Sequence, residues 1–600
     1  MTLIEALRRP FLLGDGANGS CLAERGFAGL PYDLANLLAP ALVRSIHEDY
    51  FEAGADFVET NTFQAGRLRI TDPKIDILEL NVAGALLARS AAGAERLVLG
   101  AIGPCGKPIE PIGAISREEV KLAVREQAEG LQEGGVDGFI LESYVDLAEL
   151  TIAVEAIREV SNLPILASKA YIEDGEMLAE GLPGRCAKLM SELDLVAVGA
   201  NCIVGPQRML DLVRQLGEST DLPILAMPTP GMPQLVKGSV VYDTAPEYFA
   251  KATARLIDEG ARIVGGCCGT TPEHIRQLRR ALSGVRPRTK SRAVVSSLAA
   301  ERPPLPAGEP SELSRKIGSR FVTAVEMDVP RGLNMDKLLA GARSLKIAGT
   351  DVINISDGAR ARLRMNPSAV SQIIQTRVGI EVVMHFSCRD RNLLAIQSDL
   401  LGAHALGLRN ILAITGDPAN IGDYPSATSV FDVDAIGLCR ILARLNEGID
   451  LAGYSVGVKC AFTIACAFNP MALDPTGEID RLKRKAGSGA QVVYTQPIYD
   501  PADLERTVEV CGSLKLPVFI GVLPLRSARH TEFMHNEVPG IRIPDCLRRR
   551  IAEAQTDADA LEIGVEDARS LAAQIKRSAQ GIYLMPPFGN HTIAERVMAE

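Results

Sequence analysis

The segment Gly265-Gly266-Cys267-Cys268-Gly269 determines how the first half of this chain is interpreted. It follows the apolar run Ala261–Val264, which predicts a buried strand, and it precedes Thr271 and Pro272, which predict a helix with Thr271 as N-cap. Adjacent cysteines cannot easily form a disulfide with each other, because consecutive Cα atoms are too close, but they can direct two sulfurs at one metal ion. Parallel βα folds carry their chemistry at the carboxyl ends of strands, so we expect a metal site here.

A third sulfur is available in Gly199-Ala200-Asn201-Cys202, which also ends an apolar run, residues 195–198. Three thiolates with one open coordination position are typical of a catalytic zinc site. Zinc lowers the pKa of a bound thiol, so the expected substrate is itself a thiol. Two alternatives stay open: the cysteines are buried apolar residues, or the adjacent pair has a thiol-redox role.

Length and composition indicate a large protein of several domains. The 600 residues are too many for one core, and 47% hydrophobic with 23% charged residues is ordinary for a globular protein. A net charge of −10 argues against nucleic acid or anionic lipid as a partner, and no apolar run has the length of a membrane span. The first ten residues lack a signal-peptide layout, and the twelve cysteines fit reduced thiols, so we expect a cytoplasmic protein. The oligomeric state stays open, a homo-oligomer included.

The first half alternates between short apolar runs and amphipathic stretches. Eight such units predict a (β/α)8 barrel over residues 1–285. The predicted strands are residues 11–13, 56–58, 97–99, 138–141, 164–167, 195–198, 223–226 and 262–264. Polar residues follow several of them, and Asp15 and Glu142 could bind an ammonium group in the barrel mouth or, alternatively, cap a helix or face solvent.

Proline-rich sequence in residues 286–311 predicts a linker, and a second series of eight units follows it in residues 312–600. The predicted strands are residues 321–325, 351–355, 382–384, 411–414, 458–464, 491–494, 517–520 and 581–584. The predicted fold is therefore α/β, with two (β/α)8 TIM barrels in tandem.

Polar residues also follow the strands of the second half. Glu326 ends the first strand, His385 lies at the third, Thr415-Gly416-Asp417 follows the fourth, and Gln496 follows the sixth. An acid, an amide that donates and accepts, and the basic residues 481–485 suit a heterocycle that carries phosphates. Each of these features taken alone is also compatible with a solvated loop or helix face.

The first half resembles the homocysteine S-methyltransferase family. The matching blocks are residues 15–19, 59–63, 199–202 and 265–269. The resemblance implies a zinc ion on Cys202, Cys267 and Cys268, with the sulfur of homocysteine as fourth ligand. It also implies that Asp15 and Glu142 lie near the amino group of homocysteine.

The second half looks like the methylenetetrahydrofolate reductase family, which implies a barrel that carries FAD. The resemblance implies that Glu326 is the general acid for N5 of the pterin. It also implies that Asp417 tunes the flavin and contacts the pterin, and that Gln496 binds the folate substrate. The residues implied to line the flavin and its phosphates are Ser356, His385, Thr415, Gly416, Asp417, Arg484 and Lys485.

This half departs from the family pattern at three places. Thr415 stands where members often carry Arg, the residues after Glu326 include no aromatic, and Pro497 and Ile498 replace the aromatics common after the Gln. These differences concern the electron donor more than the flavin. NAD(P)H is the expected reductant, with NADH, NADPH and another donor all left open.

The two resemblances together imply a two-step route: reduction of 5,10-methylenetetrahydrofolate to the 5-methyl form, and methylation of homocysteine to methionine. The sequence has no Asp-x-His-x-x-Gly segment of the kind that ligates cobalamin, so methyl transfer is expected to be direct. S-methylmethionine or betaine is the alternative methyl donor. A further alternative is a flavin- and zinc-binding scaffold with one or both halves catalytically silent.

Overall fold

A computed structural model describes residues 1–171, 182–202, 205–236, 239–285, 305–358 and 361–599. These residues form two units, each built around eight parallel strands. The predicted α/β architecture of two (β/α)8 barrels is confirmed. The domain limits 1–285 and 312–600 stay a prediction, and residues 286–304 of the predicted linker lie outside the described residues.

The first barrel places each strand beside the next one in the chain. A hydrogen bond from Asp56 N to Leu13 O, at 2.7 Å, joins its first two strands. A short antiparallel hairpin, which was not predicted, interrupts the series before the last barrel strand. The strands are β1 (Leu12–Leu13), β2 (Phe57–Glu59), β3 (Leu97–Ile102), β4 (Gly138–Tyr144), β5 (Ile165–Lys169), β6 (Ala197–Asn201), β7 (Ile224–Met227), the hairpin β8 (Gln234–Val236) and β9 (Ser239–Val241), and β10 (Ala261–Val264).

Most helices pack around the outside of these strands, whereas Leu3 and Ala6 of the first helix join the apolar cluster inside the barrel. Thr271 caps the last helix and Pro272 is its first residue, as the sequence predicts. The helices are α1 (Leu3–Ala6), α2 (Asn18–Glu24), α3 (Ala35–Leu38), α4 (Pro40–Ala53), α5 (Ile77–Ala92), α6 (Arg117–Glu133), α7 (Leu147–Arg158), α8 (Leu182–Ser191), α9 (Pro206–Ser219), α10 (Pro246–Asp258) and α11 (Pro272–Ala281).

The second barrel is closed, with strand order following the chain. Its strands are β11 (Val322–Met327), β12 (Val352–Ile355), β13 (Glu381–Ser387), β14 (Asn410–Ile414), β15 (Thr463–Phe468), β16 (Val492–Pro497), β17 (Val518–Val522) and β18 (Gly581–Leu584). Its helices are α12 (Glu312–Lys316), α13 (Asp336–Ile347), α14 (Pro367–Val378), α15 (Leu393–Ala405), α16 (Ala435–Glu447), α17 (Pro475–Gly487), α18 (Pro501–Ser513), α19 (Ala528–Glu537), α20 (Asp545–Ala552), α21 (Asp557–Ser578) and α22 (His591–Met598).

One predicted strand, residues 458–464, was placed too early. The barrel strand β15 begins at Thr463 and continues to Phe468. The stretch before it has a different backbone partner: Lys459 N donates to Pro306 O at 2.9 Å, and Gly308 N donates to Lys459 O at 2.7 Å. Apolar residues there mimic a strand in sequence, but their hydrogen bonds do not go to a barrel strand. Lys459 bonds to residues 306 and 308, whereas Cys460 N and Phe462 N donate to Leu445 O and Asn446 Oδ1 of α16.

Alternation along the strands decides which side chains reach each barrel interior. In β2 the side chain of Phe57 packs inside the barrel and that of Val58 outside. In β11 Val322 and Ala324 pack inside, whereas Val325 packs against the surrounding helices. Because side chains alternate with a period of two, Glu59 and Glu326 continue the inward series to the carboxyl ends of their strands.

Candidate functional site

Three cysteines meet at the carboxyl end of the first barrel. One sulfur each from Cys202, Cys267 and Cys268 lies within 4.8 Å of the other two, and the Sγ atoms of Cys202 and Cys268 are 3.7 Å apart. The end of β7 holds both segments, because Cys202 N donates to Met227 O and Cys267 N donates to Pro228 O. Two distant parts of the sequence are thus fixed to one strand end.

Cys202 reaches this position through an unusual backbone conformation. Its φ is +57°, in the left-handed region that residues other than glycine seldom adopt. Such conformations cost free energy and are concentrated at functional sites. The turn lets the chain leave β6 while the sulfur stays directed at Cys267 and Cys268.

The sulfur cluster fits a zinc ion. Zn–S bonds of about 2.3 Å in a tetrahedral site place the sulfurs about 3.8 Å apart, close to the separation of Cys202 and Cys268. The exposed side chain of Cys268 leaves one side of the cluster accessible. Three cysteine ligands with an accessible side can accommodate a fourth ligand from outside.

Three carboxyl groups lie beside one another in the same barrel mouth: Asp15, Glu59 and Glu142. Asp15 Oδ2 accepts from Glu59 N at 3.0 Å, and burial raises the pKa of all three groups, with Glu142 further raising those of Asp15 and Glu59. Within the described part of the chain, Asp15 Oδ1 and Glu59 Oε1 are buried with no hydrogen-bond partner. Unpaired carboxylate oxygens in such a group suit a cationic ligand.

Asp15 and Glu142 are predicted from the sequence as site residues, whereas Glu59 is not. The alternation along β2 could have predicted Glu59. Phe57 is apolar and faces the barrel interior, so the residue two positions later faces the same interior. Glu59 is 7% exposed, so it belongs to the site and not to the surrounding loops.

Glu326 occupies the mouth of the second barrel. Tyr583, from the neighbouring strand β18, donates a hydrogen bond to its Oε2. Burial, together with the charge of Asp328, raises the pKa of Glu326 to about 7, although the Tyr583 hydrogen bond opposes the shift. At neutral pH this carboxyl is partly protonated, which a proton donor requires.

Several of the residues named for flavin binding lie at adjacent strand ends of the same barrel. Asn354 Nδ2 donates to His385 Nε2 at 3.3 Å, and burial lowers the pKa of His385 to about 4, so the imidazole is neutral. Asn354 Oδ1 is buried and has no partner among the described residues. Ser356 Oγ donates to Asp328 Oδ1 at 3.4 Å, which connects this group to the neighbourhood of Glu326.

Thr415, Gly416 and Asp417 form the turn after β14. The hydroxyl of Thr415 accepts from Ala435 N at 3.1 Å, at the start of α16. Gly416 has a φ of +92°, and a Cβ there would overlap the hydroxyl of Ser387. Only glycine therefore fits this turn without displacing its neighbours, and Thr415 and Asp417 stay exposed beside it.

A cavity of about 260 Å³ lies beside this turn. Thr415, Gln496, Lys485 and Arg481 all line it, together with the first residues of α16. Arg484, named from the sequence, is exposed and does not line this cavity, whereas Arg481 from the same helix does. Glu478, which pairs with Arg481 at 2.7 Å, and Asp434, which caps the N-terminus of α16, line it as well. The cavity therefore holds two cations and two carboxylates.

A larger cleft of about 1230 Å³ contains Glu326 itself. Its wall carries Phe588, whose ring is exposed, with the Arg526 guanidinium 4.7 Å from the ring centroid and the His530 ring 5.8 Å away. None of these three residues is predicted from the sequence, because a single aromatic in a loop has no distinctive pattern. The cleft has room for a ligand larger than the group that Glu326 would protonate.

Each half of the chain matches the model of one known family. Residues 12–282 match the family model described as Homocysteine S-methyltransferase, and residues 313–586 match the one described as Methylenetetrahydrofolate reductase. The chain therefore matches the two family models in tandem.

Curated relatives match about half of the chain. A stretch of 303 residues is 33% identical to the methionine synthase of Mycobacterium leprae, covering 47% of this chain. A stretch of 306 residues is 33% identical to that of Mycobacterium tuberculosis. The chain spans about a quarter of the length of these two relatives, at 25% and 26%.

Solved structures similar to this chain include the Escherichia coli homocysteine methyltransferase MmuM. Its oxidised and metallated forms are each 25% identical, with a TM-score of 0.39, and the match covers 46% of this chain and 98% of theirs.

Within the described residues, none of the helices combines the length and apolar character needed to cross a membrane.

Proposed function

We propose that the first barrel transfers a methyl group to zinc-bound homocysteine and that the second reduces 5,10-methylenetetrahydrofolate with FAD. The observation that carries the proposal is the meeting of three sulfurs from two distant segments within 4.8 Å, next to a group of carboxyls. A thiol substrate that also bears an ammonium group matches both features. Homocysteine is such a molecule.

In the methyltransferase site, zinc on Cys202, Cys267 and Cys268 would supply a Lewis acid that keeps the substrate thiol deprotonated. Asp15, Glu59 and Glu142 would bind the ammonium group, whose positive charge stabilises their ionised forms. Holding both ends of homocysteine fixes its sulfur toward the accessible side of the cluster.

In the reductase site, FAD would supply the hydride. Ser356, His385, Thr415, Gly416 and Asp417 would hold the flavin, and the basic residues of α17 its phosphates. Lys485 and Arg481 are better placed for the phosphates than Arg484, because they line the cavity beside the Thr415 turn.

Glu326 would donate its proton to N10 of the folate rather than to N5. Cleavage of the N10–carbon bond leaves the carbon on N5, where hydride addition gives the 5-methyl product. The Glu326 pKa of about 7 keeps the carboxyl protonated often enough for this step. Gln496 would bind the folate by hydrogen bonds, and Asp417 would contact the flavin and the pterin. NAD(P)H is the proposed reductant.

We propose 5-methyltetrahydrofolate as the methyl donor, because the other domain would make it. S-methylmethionine or betaine is the second candidate. The full chain with zinc and homocysteine separates them: methionine should form with methylfolate, and formation only with S-methylmethionine or betaine would reject the two-step route.

We also propose a cytoplasmic protein that acts on small molecules and binds neither nucleic acid nor membrane. All twelve cysteines lie in described residues, and none of them forms a disulfide there, which supports a reducing compartment. The net charge of −10 supports the absence of a nucleic-acid partner.

Metal analysis tests the zinc site directly. We expect about one zinc per chain. Dialysis against a strong chelator should remove the zinc and abolish methionine formation. Cys267→Ser should remove the zinc because it removes one of three ligands. Cys186→Ser is the matched control, since Cys186 is buried in α8 and outside the cluster. Unchanged zinc content in Cys267→Ser would reject the site.

A further inference from the structure

Asn201 occupies a central position in the methyltransferase site that the proposed function does not use. It is the last residue of β6, directly before Cys202, and it is 2% exposed. Ala197 of the same strand packs inside the barrel, so Asn201, four residues on, faces the same interior.

The oxygen end of the Asn201 amide is fixed by two donors. Asn201 Oδ1 accepts from Ser143 N at 2.8 Å and from Ser168 Oγ at 2.7 Å. A backbone N–H can only donate, so the atom that faces Ser143 N must be the oxygen. The orientation of the amide group follows from this contact.

The nitrogen end therefore points to the other side. Asn201 Nδ2 lies 3.1 Å from Glu142 Oε2, 2.8 Å from Ser143 Oγ and 3.8 Å from Cys267 Sγ. A donor group thus stands between one of the carboxyls and one of the sulfurs. Both of these groups carry negative charge in the proposed reaction, and both accept hydrogen bonds from an amide.

We propose that Asn201 is a positioning residue that fixes Glu142 relative to the sulfur cluster, so that the ammonium and thiol ends of one substrate are held at a set separation. This inference rests on the proposed function. Its physical basis is that a rigid amide, anchored through Ser143 and Ser168, presents its N–H groups to both partners. Groups around metal ligands of this kind orient them and affect metal affinity.

Asn201→Asp tests the role of the nitrogen end. An aspartate keeps an oxygen toward Ser143 and Ser168 but replaces the donor with an acceptor beside Glu142 and Cys267. Asn201→Ala removes both ends and serves as the second variant if the aspartate folds poorly. The control Asn36→Asp makes the same change at another amide that is 2% exposed and whose Nδ2 donates to Asn61 O and Leu80 O.

Two binding measurements on the full chain give the readout. Zinc affinity is measured by competition with a chromophoric chelator, and we expect it to fall about 10–100-fold in Asn201→Asp. The second measurement compares binding of homocysteine with that of 4-mercaptobutyrate, which lacks the amino group. We expect the preference for homocysteine to be lost in both Asn201 variants and kept in Asn36→Asp.

Unchanged zinc affinity and unchanged preference in Asn201→Asp would overturn the inference, and so would equal losses in Asn36→Asp, which would indicate a general effect on folding. In Asn201→Ala, retention of the homocysteine preference would overturn it as well. Failure of the proposed function looks different, because the wild-type chain itself would then show no preference for homocysteine over 4-mercaptobutyrate.

Discussion

Glu326 has two neighbours that act on its carboxyl in opposite directions. The hydrogen bond from Tyr583 lowers its pKa, and the charge of Asp328 raises it, while burial is the largest effect and brings the pKa to about 7. These opposing effects leave the pKa of Glu326 near neutral pH. This balance can be measured.

The rate of folate reduction should depend on pH through this group. Only protonated Glu326 can donate, so reoxidation of reduced flavin by methylenetetrahydrofolate should be fastest at low pH and fall as pH rises through about 7. Stopped-flow absorbance of the flavin measures it. Glu326→Gln should lose about 10²–10⁴-fold in rate and retain FAD. A wild-type rate that does not change with pH would argue against Glu326 as the proton donor.

The neighbours of Glu326 should move this pH dependence in opposite directions. Tyr583→Phe removes the hydrogen bond that lowers the pKa, so the fall in rate should shift to higher pH. Asp328→Asn removes the charge that raises the pKa, so the fall should shift to lower pH. The same flavin assay compares the two variants, and a shift of both in one direction would contradict this account.

At the scale of elements, strand β6 packs closely against its neighbour β7. A Cβ at Gly199 would overlap the carbonyl oxygen of Leu225 in β7, and Gly199 pairs with Leu225 in the sheet. Backbone on a neighbouring strand cannot move aside as a side chain can. The glycine therefore permits the close approach of β6 and β7. Asn201 and Met227 end these two strands, and Cys202 directly follows β6.

Replacement of Gly199 should disturb the positions of the cysteines in the sulfur cluster. We expect Gly199→Ala to lower stability by about 1–3 kcal/mol and to reduce zinc content. Gly217→Ala is the matched control, because Gly217 lies in helix α9 and the nearest atom to its added Cβ is 3.9 Å away. That change should be neutral or stabilise by about 0.5–1 kcal/mol. Thermal unfolding and metal analysis compare them, and a Gly199→Ala protein as stable as the control would refute the packing argument.

The sequence was informative about elements because their signals are local. Apolar runs with polar ends located the strands, and Thr271-Pro272 located the start of α11. The strand predicted at residues 458–464 starts too early, because the apolar loop before β15, which contacts residues 306–308, has the same composition as a strand. Side chains that meet only through the fold, such as Tyr583 on Glu326 or Arg481 in place of Arg484, depend on packing that no local pattern reveals.

At the scale of the whole molecule, two barrels place two chemistries on one chain. The first offers sulfurs and carboxyls, which suit an amino-acid thiol, and the second offers a partly protonated acid in a large cleft. The product of the second reaction is the proposed methyl donor of the first. We therefore propose that one carbon atom passes through both sites.

Isotope transfer tests this claim most directly. The full chain, loaded with zinc and FAD, is given 5,10-[¹³C]methylenetetrahydrofolate, NAD(P)H and homocysteine, and the products are followed by NMR. We predict ¹³C in the methyl group of methionine, and accumulation of labelled 5-methyltetrahydrofolate instead when Cys267 is replaced by Ser. Accumulation of labelled methylfolate in the wild-type chain, with methionine formed only after S-methylmethionine or betaine is added, would contradict the account.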